Sequence, residues 1–182
     1  MHLLLISGST RHASTNTAAL RTAIDMLPAE HSAALFDGLT QLPAFNPDDD
    51  RDPLPPAAAD LRRQIAEADG VVVCTPEYAG ALPGSFKNLL DWTVGGGEIY
   101  RKPVAWLHVA AEGRGENAHA SLVTVLGYVG ADIIEPACLR LPVARQVVGE
   151  DGTITDPELR SRIADGLRVF AAEIERRPQG DE

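Results

Sequence analysis

One feature constrains this chain above all others: short apolar runs of strand length alternate, from end to end, with longer stretches whose apolar residues recur at helical spacing. His2–Ile6 reads as a strand and Thr15–Leu27 as a helix, with Ala18, Leu20, Ala23, Ile24 and Leu27 near the 3.6-residue period. Ser32–Phe36 is a weaker strand, and Ala57–Glu67 a helix with Leu61, Ile65 and Ala68 on one face. Val71–Thr75, β-branched and bounded by Gly70 and Pro76, has the pattern of a strand buried on both faces. Phe86–Val94 is a predicted helix ended by Gly95–Gly97, Pro103–Val109 a strand, Glu116–Tyr128 a helix, and Asp132–Leu141 a strand interrupted by Pro136. Asp156 stands as the N-cap of a last helix, with Pro157 at its first position and Leu159, Ile163, Leu167 and Phe170 along its apolar face. Between the second strand and second helix, the proline-rich segment Pro43–Pro56 carries the acidic cluster Asp48–Asp50 and reads as a surface loop.

Repeated β–α order implies an α/β fold: a parallel sheet with helices on both faces. Five strands within 182 residues point to the flavodoxin-like, doubly wound arrangement. No repeat and no long linker divides the chain, so a single domain over residues 1–182 is expected.

Composition narrows the partners. Sixteen Lys+Arg against 26 Asp+Glu give a net charge of −10, which excludes sequence-independent binding to nucleic acid or to an anionic membrane surface. No apolar stretch approaches the ~20 residues that cross a bilayer, and strand-like residues begin at Leu3 with no basic leader before them. No signal peptide is expected, and a cytoplasmic location is. Cys74 and Cys138 sit far apart in apolar runs and read as buried free thiols, and the five histidines show no ligand spacing, so no metal site is expected.

In a doubly wound sheet, ligands collect beyond the carboxyl ends of the strands where the strand order reverses. Three loops qualify. The first, Gly8–Thr17, concentrates donors where a helix begins: hydroxyls at Ser9, Thr10, Ser14, Thr15 and Thr17, the Asn16 amide, the planar guanidinium of Arg11, and the free N–H groups of the helix start. It is neither a P-loop nor a GxGxxG fingerprint, yet a phosphate placed there would meet donors from several directions. As a plain turn, it would use Ser14 as an ordinary N-cap. The second loop, Thr75–Gly84, is rigid and rich in exposed backbone. Its small residues Ala79, Gly80 and Ala81 leave a flat ring free to approach main-chain groups, with Tyr78 beside it. The third, Ala110–Gly115, is small and flexible and reads equally well as a ligand contact or a solvated bend.

These residues are similar to those of a known family. Gly8-Ser9-Thr10-Arg11 followed by Ser14 and Asn16 resembles the G-S-x-R-x-x-S-x-N loop of the NAD(P)H-dependent FMN reductases. Pro76-Glu77-Tyr78, Pro83-Gly84, Lys87-Asn88 and Asp91-Trp92 resemble that family's P-E-Y-N-x-x-x-P-G-x-x-K-N-x-x-D-W signature, and Leu42-Pro43 through Asn46-Pro47-Asp48 its connection after the second strand. The resemblance spans residues 3–175 and implies non-covalent FMN reduced by NADPH or NADH. It places the FMN phosphate on Ser9, Arg11, Ser14, Thr15, Asn16 and Thr17, and the isoalloxazine against Pro76, Glu77, Tyr78 and Ala79. Gly80, Ala111 and Gly113 complete the expected cofactor-binding set. Ala79 stands where the family has Asn, and Ala110-Ala111-Glu112 where it has Ser or Gly.

The flavin would carry the electrons, so no catalytic side chain is expected. Turnover would be ping-pong, from NAD(P)H to a small-molecule acceptor such as a quinone, azo compound, metal oxyanion or free flavin. Association into a homodimer or homotetramer is expected as well. Lys87 and Asp91, four residues apart, suit a surface ion pair, and Trp92 with Phe86 and Leu89 reads as packing. Two other classes stay open at this point, a flavodoxin-like electron carrier and a non-catalytic nucleotide-binding domain. Few aromatic residues are available to clamp a flavin, which favours the reductase.

Overall fold

The computed structural model describes residues 1–177; residues 178–182 of the domain expected over 1–182 lie outside the described residues. Strands β1 (His2–Ser7), β2 (Ser32–Phe36), β3 (Gly70–Cys74), β4 (Pro103–His108) and β5 (Asp132–Ile133) lie parallel in the order β2-β1-β3-β4-β5. Helices α1 (Thr15–Asp25), α2 (Pro56–Glu67), α3 (Gly84–Asp91), α4 (Glu116–Tyr128) and α5 (Pro157–Glu175) provide the crossovers and the closing layer. This is the flavodoxin-like strand order expected.

The strand predicted over Asp132–Leu141 is broken more deeply than its proline alone suggests. It becomes β5, a 3₁₀ turn at Glu135–Ala137, and a sixth strand, β6 (Leu139–Arg140). β5 pairs with Val104 through Ile133, and β6 pairs further along β4, Leu139 opposite Leu107. The turn lets one edge of β4 be covered in two stretches, Pro103–Val104 by β5 and Leu107–His108 by β6, so the sheet has five strands by order and six by count.

Period-two alternation divides the core. Leu4, Ile6, Val71 and Val73 face α2, α3 and α4, packing with Leu61, Ile65, Phe86, Leu89 and Leu126. Leu3, Leu5, Val72 and Cys74 face the other side, with Leu20 and Ala23 of α1 and Ile163, Leu167 and Phe170 of α5. Neighbours along one strand thus serve opposite layers. The N-cap assignment at α5 holds: the Asp156 carboxylate accepts from the Leu159 N–H at 3.0 Å.

Helix α3 starts two residues before the predicted Phe86 and ends at Asp91 rather than Val94, because Pro83 launches it and the chain turns after Trp92. Helix α1 likewise stops at Asp25 instead of Leu27. The Lys87–Asp91 ion pair forms at 2.5 Å, half exposed. Trp92 and Phe86 are fully buried, as packing residues should be.

The proline-rich loop is anchored more firmly than a surface loop. Asn88 accepts from the Phe45 N–H at 2.7 Å and donates to the Pro43 carbonyl at 2.9 Å, which also takes the Trp92 indole N–H at 2.9 Å. Asp50, read as part of a solvated acidic cluster, turns inward to the buried Arg62 guanidinium at 2.6 Å. Cys74 is buried, whereas Cys138 is only half-buried. Burial pushes the Cys138 thiol up to about 11, only partly offset by a main-chain hydrogen bond from the Trp106 region and reinforced by Glu135.

Candidate functional site

A cleft of about 410 Å³ opens at the carboxyl ends of β1, β3 and β4, where the sheet order reverses. Of the residues singled out in the sequence, Ser9, Arg11, Ser14, Thr15, Asn16, Pro76, Glu77, Tyr78 and Ala111 line it. Thr17, Ala79, Gly80 and Gly113 do not. Thr75, His108, Val109, Ala110, Arg114, Gly115, Val143 and Arg145 complete the wall.

The first loop is held by short-range bonds. Gly8 donates its N–H to the Cys74 carbonyl at 2.8 Å, tying the loop to β3. The Ser7 and Thr17 hydroxyls lie 2.8 Å apart, so Thr17 is turned toward the end of β1 rather than into the cleft. Ser14 occupies the N-cap position of α1 with extended backbone angles, but its hydroxyl caps no N–H. The ordinary-cap reading therefore fails. Among the described residues, the N–H groups of Thr15, Asn16 and Thr17 find no acceptor, and the first turn of α1 carries no acidic residue. Buried Asn16 is oriented by the Cys74 thiol, which donates to its Oδ1 at 3.3 Å. Free donors at the positive end of a helix, with Arg11 beside them, are chemically suited to an anion.

The second loop is a tight hairpin. Tyr78 and Ala81 exchange both backbone hydrogen bonds, at 3.0 and 3.1 Å, around Ala79 and Gly80, whose φ values are +50° and +73°. Two positive φ angles make this a type I′ turn, for which Asn-Gly is the favoured pair. Ala79 thus holds a left-handed conformation that costs an L-residue roughly 1–2 kcal/mol. Ala79→Asn, which needs no new space in the cleft, is expected to raise stability by about 1 kcal/mol. The urea midpoint measures it; an unchanged or lower midpoint would contradict the turn assignment.

Glu77 has a structural partner. Its Oε2 accepts from the Ala118 N–H at 3.0 Å, in the first turn of α4. The N-cap of that helix, Gly115, has φ +80° and no side chain to offer, so Glu77 caps the helix from a loop 41 residues away. His108 adds a second tie: its Nε2 donates to the Arg114 carbonyl at 2.9 Å. Glu112, by contrast, is exposed and outside the cleft wall. Behind His108, the His119 ring lies 4.2 Å from Trp106 and 5.9 Å from His108, centre to centre. Partial burial, with Arg140 and His108 nearby, holds His119 below its ordinary range. Arg140 is bonded by Glu116, at 2.5 and 3.0 Å. Among the described residues, no cluster of His, Cys, Asp or Glu could hold a metal ion, and no helix is long and apolar enough to cross a membrane.

A doubly wound sheet with an anion site at its first helix and a backbone-lined cleft at the switch point defines the flavodoxin-like class of nucleotide-binding folds. The family model described as NADPH-dependent FMN reductase matches residues 1–145. An NAD(P)H-dependent FMN reductase of Pseudomonas aeruginosa is 32% identical over 178 residues, covering 96% of this chain and 95% of that protein. An NADPH azoreductase of a Bacillus species is 35% identical over 131 residues, covering 69% of this chain and 70% of its own. Among solved structures, the flavoenzyme NAD(P)H:(acceptor) oxidoreductase FerB of Paracoccus denitrificans superposes with a TM-score of 0.77 at 25% identity, covering 96% of this chain and 97% of that one.

The chain belongs to the NADPH-dependent FMN reductase family. Its residues fit the flavin this implies. The uncapped start of α1, the Ser14 hydroxyl, which caps no N–H of the helix, and Arg11 match a phosphate, and the Pro76–Tyr78 backbone offers a flat wall for a ring.

Proposed function

We propose that this protein binds FMN non-covalently in the cleft and passes electrons from NAD(P)H to a small electron-poor acceptor, a quinone or azo compound, in a ping-pong cycle. The observation that carries the reading is the run of unpaired backbone N–H groups at Thr15, Asn16 and Thr17, opening α1 beside Arg11. FMN, when bound, would supply the redox chemistry that links hydride donation by the nicotinamide to reduction of the acceptor. The chain's part is to hold and orient. Ser9, Arg11, Ser14, Thr15 and Asn16 would bind the phosphate, and Pro76, Tyr78 and Ala111 would lie along the ring. Glu77, on the cleft wall, ties the loop to α4, the Ala79–Gly80 turn sets the loop's shape from behind, and Thr17 and Gly113 stand outside the cleft lining. The protein would act as a dimer or tetramer of single-domain subunits in the cytoplasm.

The test is an anaerobic titration. Protein reconstituted with FMN should bleach near 450 nm on addition of NADPH or NADH, and recover colour with a quinone. Double-reciprocal plots should be parallel, and light scattering at micromolar concentration should give at least two chains. Arg11→Ala should weaken FMN by roughly tenfold or more, since a charge-assisted bond contributes about 1.5–3 kcal/mol. Failure to take up FMN would sink the proposal, and uptake without bleaching would leave an electron carrier instead.

A further inference from the structure

The third loop, between β4 and α4, carries Ala110-Ala111-Glu112 where the family has Ser or Gly. Ala110 and Ala111 both line the cleft, and with methyl side chains they can offer a ligand hydrogen bonds only from the main chain. Among the described residues, the N–H groups of Ala110, Ala111, Glu112 and Gly113 find no acceptor. Aiming such groups requires a fixed backbone. Yet Gly113 and Gly115 take left-handed angles, and glycine is the residue with the most conformational freedom to lose. The Arg114 N–H donates to the Ala111 carbonyl at 2.9 Å, which closes a turn within the loop without joining it to the sheet.

What joins it is His108, the last residue of β4. Its Nε2 donates to the Arg114 carbonyl at 2.9 Å, across the bend. Among the described residues, this is the one hydrogen bond that a side chain makes to residues 110–115. A carbonyl only accepts, so Nε2 carries a hydrogen whether the ring is neutral or charged, and the tie holds in both forms. The ring is also packed between the two ends of the loop. A Cβ on Gly115 would lie 2.9 Å from Nε2, 3.0 Å from Cε1 and 3.1 Å from the Ala110 Cβ. From behind, His119 meets the His108 ring edge-on at 5.9 Å between centres, and His119 is itself 4.2 Å from Trp106.

We propose that His108 is a positioning residue for the flavin: by holding the Arg114 carbonyl it keeps the Ala110 and Ala111 N–H groups turned to the ring, and through them it favours the reduced cofactor. The inference rests on the flavin-reductase reading above, in which Ala111 lies along the ring. Reduction adds negative charge to that ring, and a hydrogen bond to a charged acceptor is roughly twice as strong as one to a neutral acceptor. A loop released from His108 therefore loses its hold on reduced flavin more than on oxidised flavin. Arg11, at the phosphate, meets the same charge in both states and carries no such bias.

The test compares the FMN-loaded protein with three variants: His108→Phe, which keeps a ring without the donor, His108→Ala, and His108→Gln, whose amide keeps a donor. Fluorescence quenching reads FMN affinity, equilibration with a reference dye reads the midpoint potential of the bound flavin, and the urea midpoint reads folding. The Phe and Ala variants are expected to lower the midpoint potential by about 30 mV, which corresponds to a tenfold extra loss of reduced over oxidised flavin. His108→Gln should restore most of that shift. Arg11→Ala should weaken FMN and leave the potential where it was. A potential in His108→Phe equal to that of the unaltered protein overturns the assignment, whatever the affinity does. Equal lowering in the Phe and Gln variants overturns it too, since packing of the imidazole would then be the whole effect. Should His108→Ala fail to fold, the Phe and Gln pair decides. No uptake of FMN by the unaltered protein would end the flavin-reductase reading and this role with it, whereas uptake with an unmoved potential in the variants ends the role of His108 alone.

Discussion

Replacing Gly8 with alanine is expected to cost both stability and cofactor. A Cβ there would lie 2.3 Å from the Thr75 Oγ1, 2.7 Å from the Thr75 Cβ and 3.0 Å from the buried Phe86 ring. Rotating the Thr75 hydroxyl away relieves the first overlap but not the second. The backbone must therefore move, and Gly8 is the residue that ties the first loop to β3 through the Cys74 carbonyl. Overpacking of this kind costs typically about 1–3 kcal/mol. Because Ser9 and Thr75 both line the cleft, the same shift spreads the phosphate and ring walls, and FMN affinity should fall about tenfold or more. Urea denaturation and FMN fluorescence titration read the two effects separately. Unaltered values in both would mean that the loop and β3 are not in the close contact described.

Trp92→Ala is expected to destabilise the protein by about 3–5 kcal/mol, the range for removing a fully buried aromatic side chain. The ring is inaccessible, meets Phe45 edge-on at 5.1 Å between centres, and donates to the Pro43 carbonyl. Its loss opens a cavity under α3 and unfastens the proline-rich segment at once. Trp92→Phe separates the two parts. It keeps most of the volume, and the Pro43 carbonyl retains the Asn88 donor, so a cost of only about 1 kcal/mol is expected from the missing indole bond. Equal losses in the two variants, measured by chemical denaturation, would show that packing is not what the indole contributes.

These two positions also explain parts of the sequence motifs. Asn88 and Trp92, four residues apart, converge on one carbonyl across the start of the proline-rich segment. The spacing was visible in the sequence, but its target was not, since Pro43 lies 49 residues before Trp92. The same holds for Glu77. Its place in the second loop suggested a flavin contact, while in the fold it lines the cleft and caps α4.

Strand and helix periods, the polar start of α1 and the motif order were all legible along the chain, because each depends on residues within a few positions of one another. The parallel order and the location of the cleft followed from them through the handedness of β–α–β crossovers. What lay beyond linear reading was everything set by residues meeting from distant segments. His108 stands at the end of β4 itself, while Val143 and Arg145 reach the cleft because β6 pairs with the last residues of β4 and is followed by chain that passes the site. Thr17, though near the right loop, faces elsewhere because its hydroxyl meets that of Ser7, and Gly113 lies off the cleft wall. Local chemistry writes the elements and their order; which side chains share a wall is settled by how those elements pack, since burial rewards contacts between segments that have no neighbourhood in sequence.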